Sequence, residues 1–435
     1  MKNSLFLFYI LLVTSTFSGY SQWERIAGFD CIFNHAILTD SNTIWGCGNL
    51  GKVFKYSIAE NSFIYKEFSD SLDFYSLAEV NDSVIIFAGW NWYTHNGIFV
   101  QYNFILDTTI SIIKKGHMIN DVLFLDAQVG FAVSFSGIHR TSDGGRNWSL
   151  IWDFSKINAD YGELFSIAID KDNNIYSSGQ KKFNDINSNF QGLILKSNDT
   201  GEVWEILYQL PDERFDNIQF LNGNLFCHSM KFPKIYFSDD MGLSWIEIQS
   251  PIDEPLLRIV DVEFLNDDTL FVCISQTYFY EPSAHPYTVD LIVRSSDGGN
   301  SWGVQFENYP RHPPKDTSLV QIISVNDSLL ISIGYKLLIK TENSGGPVWP
   351  VKHVVELKSS NVHRIFPNPA GEKLYSSNLQ KKCSFSIIDL SGKTLLLGDL
   401  EPGNYINIET LNNGIYLIIL FSKQDIILTD IFIKK

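Results

Sequence analysis

Four copies of one eight-residue turn limit what this chain can fold into: TSDGGRNW ending at Trp148, SNDTGEVW at Trp204, SDDMGLSW at Trp245 and SSDGGNSW at Trp302. A turn that recurs every 40 to 60 residues or so belongs to a repeat protein, in which each module is too small to be stable alone. The carboxylates of Asp143, Asp199, Asp240 and Asp297 can accept hydrogen bonds from the N–H groups of their own turns. Two residues later Gly145, Gly201, Gly242 and Gly299 admit the positive φ that a tight hairpin needs. The tryptophan then enters the next strand and is expected to pack inward, burying about 150–250 Å².

The form Ser/Thr-x-Asp-x-Gly-x-x-Trp resembles the Asp-box, or BNR repeat, of sialidases, sortilin-type receptors, some xyloglucan hydrolases and photosystem II assembly factors. The resemblance implies a β-propeller. It places each box on the hairpin between third and fourth strands of a blade, at the rim and away from the central site. On that reading the box aspartates are scaffold, with no metal or catalytic role.

A weaker repeat counts the blades. An apolar strand, a turn rich in Asp and Asn, and a second apolar strand that often ends in Gly recur seven times, with turns near Asp40, Asn81, Asp126, Asp172, Asn222, Asn266 and Asn326. Runs such as SVIIFAG and TLFVCIS are short and rich in β-branched and aromatic residues, as strands are. The expected fold is therefore all-β, a seven-bladed propeller. The boxes serve blades three to six, TENSGGPVW ending at Trp349 reads as a stretched copy for blade seven, and blades one and two have lost theirs. The lone segment Trp23-Glu24-Arg25-Ile26 reads like a fourth strand, able to pair with the last blade and close the ring, which removes exposed edges.

Both ends of the chain point outward from the cell. Residues 1–21 carry Lys2, the apolar run LFLFYILLV and a small polar exit, the layout of a cleavable secretory signal, and no other run is apolar enough to span a bilayer as a helix. The propeller is expected over residues 22–355 and a linker over 356–361. From 362 to 435 the composition changes, with IFPNPAGEKL (Pro367, Asn368, Pro369), FSIIDLSGKTL (Gly392) and LNNGIYLIIL (Gly414, Tyr416) in that order. This segment resembles the C-terminal sorting domain, type A, of the type IX secretion system of Bacteroidetes-like bacteria. The resemblance implies engagement of that secretion machinery, transit of the periplasm, passage across the outer membrane, and release or surface attachment. Its apolar runs broken by Pro and Gly read independently as a small Ig-like β-sandwich.

The net charge of −16 lies in the propeller, since the tail from 362 holds eight Lys or Arg against seven Asp or Glu. Nucleic acid is excluded as a natural partner, and acidic glycans are disfavoured unless a local basic patch exists. The five cysteines, Cys31, Cys47, Cys227, Cys273 and Cys383, are too scattered for a disulfide framework and read as buried thiols, with Cys31–Cys47 as the best oxidised alternative. No spacing suggests zinc, and no cofactor or metal is expected. The protein is expected to be a monomer.

Insertions cluster on the face opposite the boxes: WNWYTHN, QKKFNDINSNFQ, HSMKFP and QTYFYEPSAHPYTVD. Clustered insertions mark the face that carries specificity. Trp90, Trp92 and Tyr93 in blade two, with Tyr278 and Tyr280 in blade six, could stack on sugar rings or anchor a protein, the alternative being rings folded back as plugs. An enzyme of the glycoside hydrolase or lyase type would need two facing carboxylates, and Asp160, Glu163, Glu213, Asp253, Glu254 and Glu281 form no motif that pairs them. No catalytic residue is assigned; the expectation is a non-enzymatic module that binds a glycan or protein.

Overall fold

The computed structural model describes residues 23–27, 31–182, 190–221, 223–229, 233–248, 257–266, 268–278, 287–308, 319–335, 337–344, 349–350, 365–366, 370–376, 379, 381–389, 393–422 and 425–434. The chain divides into two compact units, Met1–Val351 and Lys352–Lys435.

Seven antiparallel sheets make up the described part of the first unit, each a meander of neighbouring strands, and they form a seven-bladed β-propeller. The innermost strands are Phe33–Asp40, Leu72–Asn81, Ile119–Phe124, Tyr161–Ile169, Asn217–Leu221, Leu257–Phe264 and Leu319–Ser324. The core lies in the seams between neighbouring blades, where flat apolar faces meet. Phe74, Phe87 and Ile85 join blade two to Trp45 and Val53 of blade one, and Phe131, Val133 and Ile138 of blade three meet Leu164, Leu193 and Leu195 of blade four. Each apolar ring closed into such a seam is worth a few kcal/mol, which is why no blade stands alone.

Glu24–Ala27 pairs antiparallel with Leu337–Thr341 and completes blade seven, with Trp23 buried against Phe271, Leu319 and Ile339. The ring is thus closed by the segment that the sequence singled out. One expectation fails here: Trp349 does not supply the fourth strand of blade seven. Trp349–Pro350 instead pairs with Gly303–Asn308, giving blade six a fifth strand. The physical reason is that the slot beside Leu337–Thr341 is already filled by Glu24–Ala27, leaving the outer edge of blade six as the free template. At the start of the blade-seven turn Thr341 Oγ1 donates to Asn343 Oδ1 at 2.9 Å, where the boxes of blades three to six have Asp.

The eight-residue turns lie between third and fourth strands and repeat one set of bonds. Asp143 Oδ1 accepts from Asn147 N at 2.9 Å and Thr141 Oγ1 at 2.8 Å, Gly145 N donates to Thr141 Oγ1, and Trp148 Nε1 donates to Gly145 O at 3.0 Å. Asp199, Asp240 and Asp297 accept in the same way from Val203 N, Ser244 N and Ser301 N. The glycines sit at φ between 86° and 90°, where a Cβ would strain the chain. The tryptophans are less uniformly buried than their sequence position suggests. Trp148 is 5% exposed and stacks on Phe99 of blade two at 4.4 Å, whereas Trp204, Trp245 and Trp302 are half-buried.

The second unit is a small β-sandwich. One sheet joins Ile365–Phe366, Lys373–Ser376 and Tyr405–Asn407; the other joins Thr394–Leu400, Cys383–Asp389, Gly414–Ser422 and Asp425–Lys434. Leu374, Ile387, Ile408, Ile418 and Phe432 are fully buried between them. Gly414 opens the long third strand of the larger sheet, and Tyr416 stacks on Phe432 while its hydroxyl donates to Asn412 O at 2.7 Å. Pro367, Asn368, Pro369 and Gly392 lie outside the described residues, as do residues 1–21, where the sequence led us to expect a secretory signal. No helix among the described residues is long and apolar enough to cross a membrane.

Candidate functional site

Six of the seven innermost strands carry a β-bulge at the same height, and a polar side chain follows each: His35, Ser76, Asp121, Ser166, Asp261 and Gln321. A bulge bends the strand and leaves a neighbouring N–H without a ladder partner. The polar side chains fill that need across the seams. Gln321 Oε1 accepts from Ala36 N at 2.7 Å, Asp121 Oδ2 from Ile167 N at 2.9 Å, and Asp261 Oδ2 from Ile322 N at 2.9 Å. Ser76 Oγ donates to Asp121 Oδ1 at 2.6 Å, and Ser166 Oγ to Asp121 Oδ2 at 3.1 Å. This belt stitches blade to blade around the axis. Glycines inside two of the second strands pack against the bulged segments: a Cβ on Gly89 would stand 1.9 Å from Asp73 O, and one on Gly179 2.1 Å from Glu163 O.

Inside the belt runs a channel of about 730 Å³, lined among others by Glu79, Asp121, Asp261 and Glu263. Burial, then the neighbouring Glu263 charge, pushes Asp261 up to about 7, and burial raises Glu263 and Glu79. Among the described residues apolar side chains do not fill the channel, and three of these carboxylates are occupied: Glu263 Oε1 takes the Ser324 N–H at 2.9 Å, as Asp121 takes that of Ile167 and Asp261 that of Ile322.

The inserted-loop face carries the aromatic turn. In the blade-two hairpin Asn91 Oδ1 accepts from Tyr93 N at 3.1 Å and Thr94 N at 2.9 Å, and His95 adopts φ 52°. Trp92 Nε1 donates to Asp73 Oδ2 at 2.5 Å, and the other oxygen of Asp73 accepts from Leu50 N at 3.0 Å. The indole is therefore fixed by its polar edge. Its face is not covered: Trp92 is 52% and Tyr93 77% exposed. Trp90 is half-buried beside His95, so it supports the turn from below. In blade six Tyr278 ends the second strand opposite Tyr287, with its side chain outside the described set, and Tyr280 lies outside the described residues.

Of the loop carboxylates, Asp253, Glu254 and Glu281 lie outside the described residues, and Asp160 is exposed. Glu213 is consumed internally, accepting from Ser229 Oγ and Tyr236 OH, each at 2.7 Å. Glu163 is buried, and that burial raises it to about 7 against the opposing pull of Arg214 and of the Asn120 and Gln180 side chains. Arg214 itself ion-pairs with Asp216 and lies 4.0 Å from the Phe165 ring centre. Arg140 and Arg294, which precede boxes, lie over the rings of their cross-strand partners Phe131 and Phe271, so they serve their own blades. The Asp170 turn is saturated, with both oxygens bonded to Asp172, Asn174 and Tyr176. All five cysteines are buried thiols outside any disulfide, Cys31 and Cys47 included. Among the described residues no cluster of three His, Cys, Asp or Glu side chains is placed to hold a metal.

Comparison with known proteins agrees with this division. A search of curated proteins gave no significant match. Solved structures similar to the chain include YCF48 bound to D1 peptide (14% identity, TM-score 0.53, 79% of this chain and 98% of that one) and YCF48 from Cyanidioschyzon merolae (15%, 0.53, 74% and 98%). The GH74 xyloglucanase from Xanthomonas campestris is similar at 14% identity and TM-score 0.55, over 82% of this chain and 59% of that one. At such identities the likeness is one of fold. Residues 364–434 match the family described as the secretion system C-terminal sorting domain, so the chain ends in a type IX sorting domain, which implies contact with that machinery and export to the cell surface or secretion.

Proposed function

We propose that this chain is an exported, non-enzymatic binding propeller that captures a glycan or a protein on its inserted-loop face, with the eight-residue turns serving as rim staples and the tail as a type A sorting signal. The observation that carries the reading is the pair Trp92 and Tyr93: open to solvent, on a turn held by Asn91, with the indole edge fixed by Asp73. Rings held in place before binding lose little entropy on capture, which suits them as anchors. The test is a glycan array and a pull-down with the full chain and with Trp92→Ala/Tyr93→Ala. Loss of capture at an unchanged melting temperature supports the site, and undiminished capture removes it.

A hydrolase reading is favoured by one observation, the buried Glu163, whose pKa near neutrality suits a general acid. Glycosidase activity on plant or host polysaccharides that disappears in Glu163→Gln would establish it. Export is tested separately, by deleting residues 362–435: the propeller should accumulate in the periplasm, and its continued appearance outside the cell would refute the sorting role.

A further inference from the structure

Among the described residues, a knot of donors without a carboxylate partner lies beside the aromatic turn of this acidic propeller. Lys114 ends the fourth strand of blade two, Thr108–Lys115, and His117 follows it in the connection to blade three. Ser134, Ser136 and His139 come from the hairpin between Gly130–Ser134 and Gly137–Thr141. His117 Nδ1 meets Ser136 Oγ, Ser136 Oγ lies 2.9 Å from Ser134 Oγ, and Ser134 Oγ lies 3.2 Å from His139 Nε2. The two imidazoles stand edge to face at 5.5 Å.

His139 is 2% exposed, and its Nδ1 has no hydrogen-bond partner among the described residues. A buried ring nitrogen left open costs about 1–3 kcal/mol, so its retention asks for an explanation. The charges that act on these imidazoles belong to the knot itself. Burial and then Lys114 lower His117, while burial, His117 and Lys114 bring His139 down to about 3. Lys114 Nζ reaches Trp148 O, and burial lowers it too. Two hydroxyls, two imidazoles and an ammonium thus converge without a counter-charge, in a chain whose net charge is −16. Such a set complements an oxyanion, which would accept from the hydroxyls and stabilise the protonated imidazoles.

The knot is joined to the turn that bears Trp92 and Tyr93. Asn96 Oδ1 accepts from Gly116 N at 3.1 Å, and the backbone at Gly97 lies so close to His117 O that a Cβ there would stand 1.7 Å away. We infer that the Lys114, His117, Ser134, Ser136 and His139 cluster binds the acidic group of an anionic saccharide, a uronate carboxylate or a sugar sulfate, whose ring lies against Trp92 and Tyr93. This rests on the loop-face reading above and adds the ligand class to it. It also supplies a local donor set without a counter-charge, which an acidic protein needs to accept an acidic glycan.

Because the free imidazoles are neutral near pH 7, anion binding must draw protons in. Affinity should rise as pH falls, by up to about tenfold per pH unit for each proton taken up. The experiment is calorimetric titration of the full chain at pH 5.5 and 7.5 with oligogalacturonate, a sulfated chondroitin hexasaccharide, cellohexaose and inorganic sulfate, repeated with His117→Ala, Ser136→Ala and Trp92→Ala. Folding of each variant is checked by its melting curve, and Ser136→Ala, the mildest change, decides if His117→Ala fails to fold. The expected result is that one acidic oligosaccharide binds at pH 5.5 and weakens at least tenfold by pH 7.5. Inorganic sulfate should compete, and both cluster variants should lose at least tenfold; which oligosaccharide binds tells carboxylate from sulfate. Failure of both acidic oligosaccharides to bind at pH 5.5, or binding indifferent to His117→Ala and Ser136→Ala, overturns the inference. Cellohexaose capture that needs Trp92 but not His117 overturns it while sparing the loop-face reading. Acidic-saccharide capture that needs His117 but not Trp92 supports the anion site and removes the aromatic one.

Discussion

Asp290→Asn should stabilise the propeller, and only above about pH 4. The carboxylate is fully buried in the seam between blades six and seven. The Ser275 side chain and the Leu319 N–H face it and favour its charged form, but neither closes to a hydrogen bond, and burial outweighs both, raising its pKa from 3.8 to about 7. An unfolded Asp releases its proton near pH 4 while the folded one holds on until about pH 7, so folding takes up a proton between those values. Stability therefore falls as pH rises through that window and levels off above it. A tenfold change in proton affinity is worth about 1.4 kcal/mol, so the full displacement is about 4 kcal/mol, and side-chain relaxation and water entry reduce it to roughly 2–4 kcal/mol. The amide has similar volume and no charge to desolvate. Urea unfolding of both proteins from pH 3 to 8.5 should give curves that converge near pH 3, begin to part near pH 4 and separate by that amount at pH 8. A difference independent of pH would refute the reasoning, since Asp261 and Glu263, raised in the same seam, contribute equally to both proteins.

Trp148→Ala should cost about 3–5 kcal/mol by the same unfolding assay, because its ring is buried and stacked on Phe99, while Trp204→Ala, half-buried, should cost distinctly less; equal costs would deny that the seam sets the value. Asp121→Ala removes the acceptor shared by Ser76, Ser166, Val122 and Ile167 and should destabilise by about 3–5 kcal/mol, with hydrogen exchange quickening at Ile167 and Val122 first. Gly89→Ala should cost about 1–3 kcal/mol by forcing the Asp73 carbonyl aside, and a neutral effect would deny the close approach there.

What could be read from the sequence was whatever repeats or sits in one contiguous segment. The turns at Trp148, Trp204, Trp245 and Trp302, the seven strand pairs and the closing segment at Trp23 are local patterns, and local bonding within each turn realises them. The sorting tail is also contiguous. The polar belt went unread although it repeats, because a lone Asp121 or Gln321 inside an apolar strand is easily taken for the solvent-facing half of an alternation. Only the bulges, set by pairing across a strand and across a seam, turn those side chains toward the next blade's N–H groups. The placement of Trp349 failed for a related reason: the Trp23 segment and the Trp349 segment both read as fourth strands, and which of them takes the one edge is decided by pairing across more than 300 positions. The cluster around His139 is non-local too, drawn from two blades and invisible in the spacing of its members.

The closure by Glu24–Ala27 has a consequence in time. The strand that finishes blade seven is among the first parts of the propeller made, and its partner Leu337–Thr341 is among the last. At about 5–20 residues per second, roughly 300 residues of synthesis keep this strand waiting for about 15–60 seconds. Throughout that wait Trp23 has no seam to enter, and the ring stays open until blade seven is made.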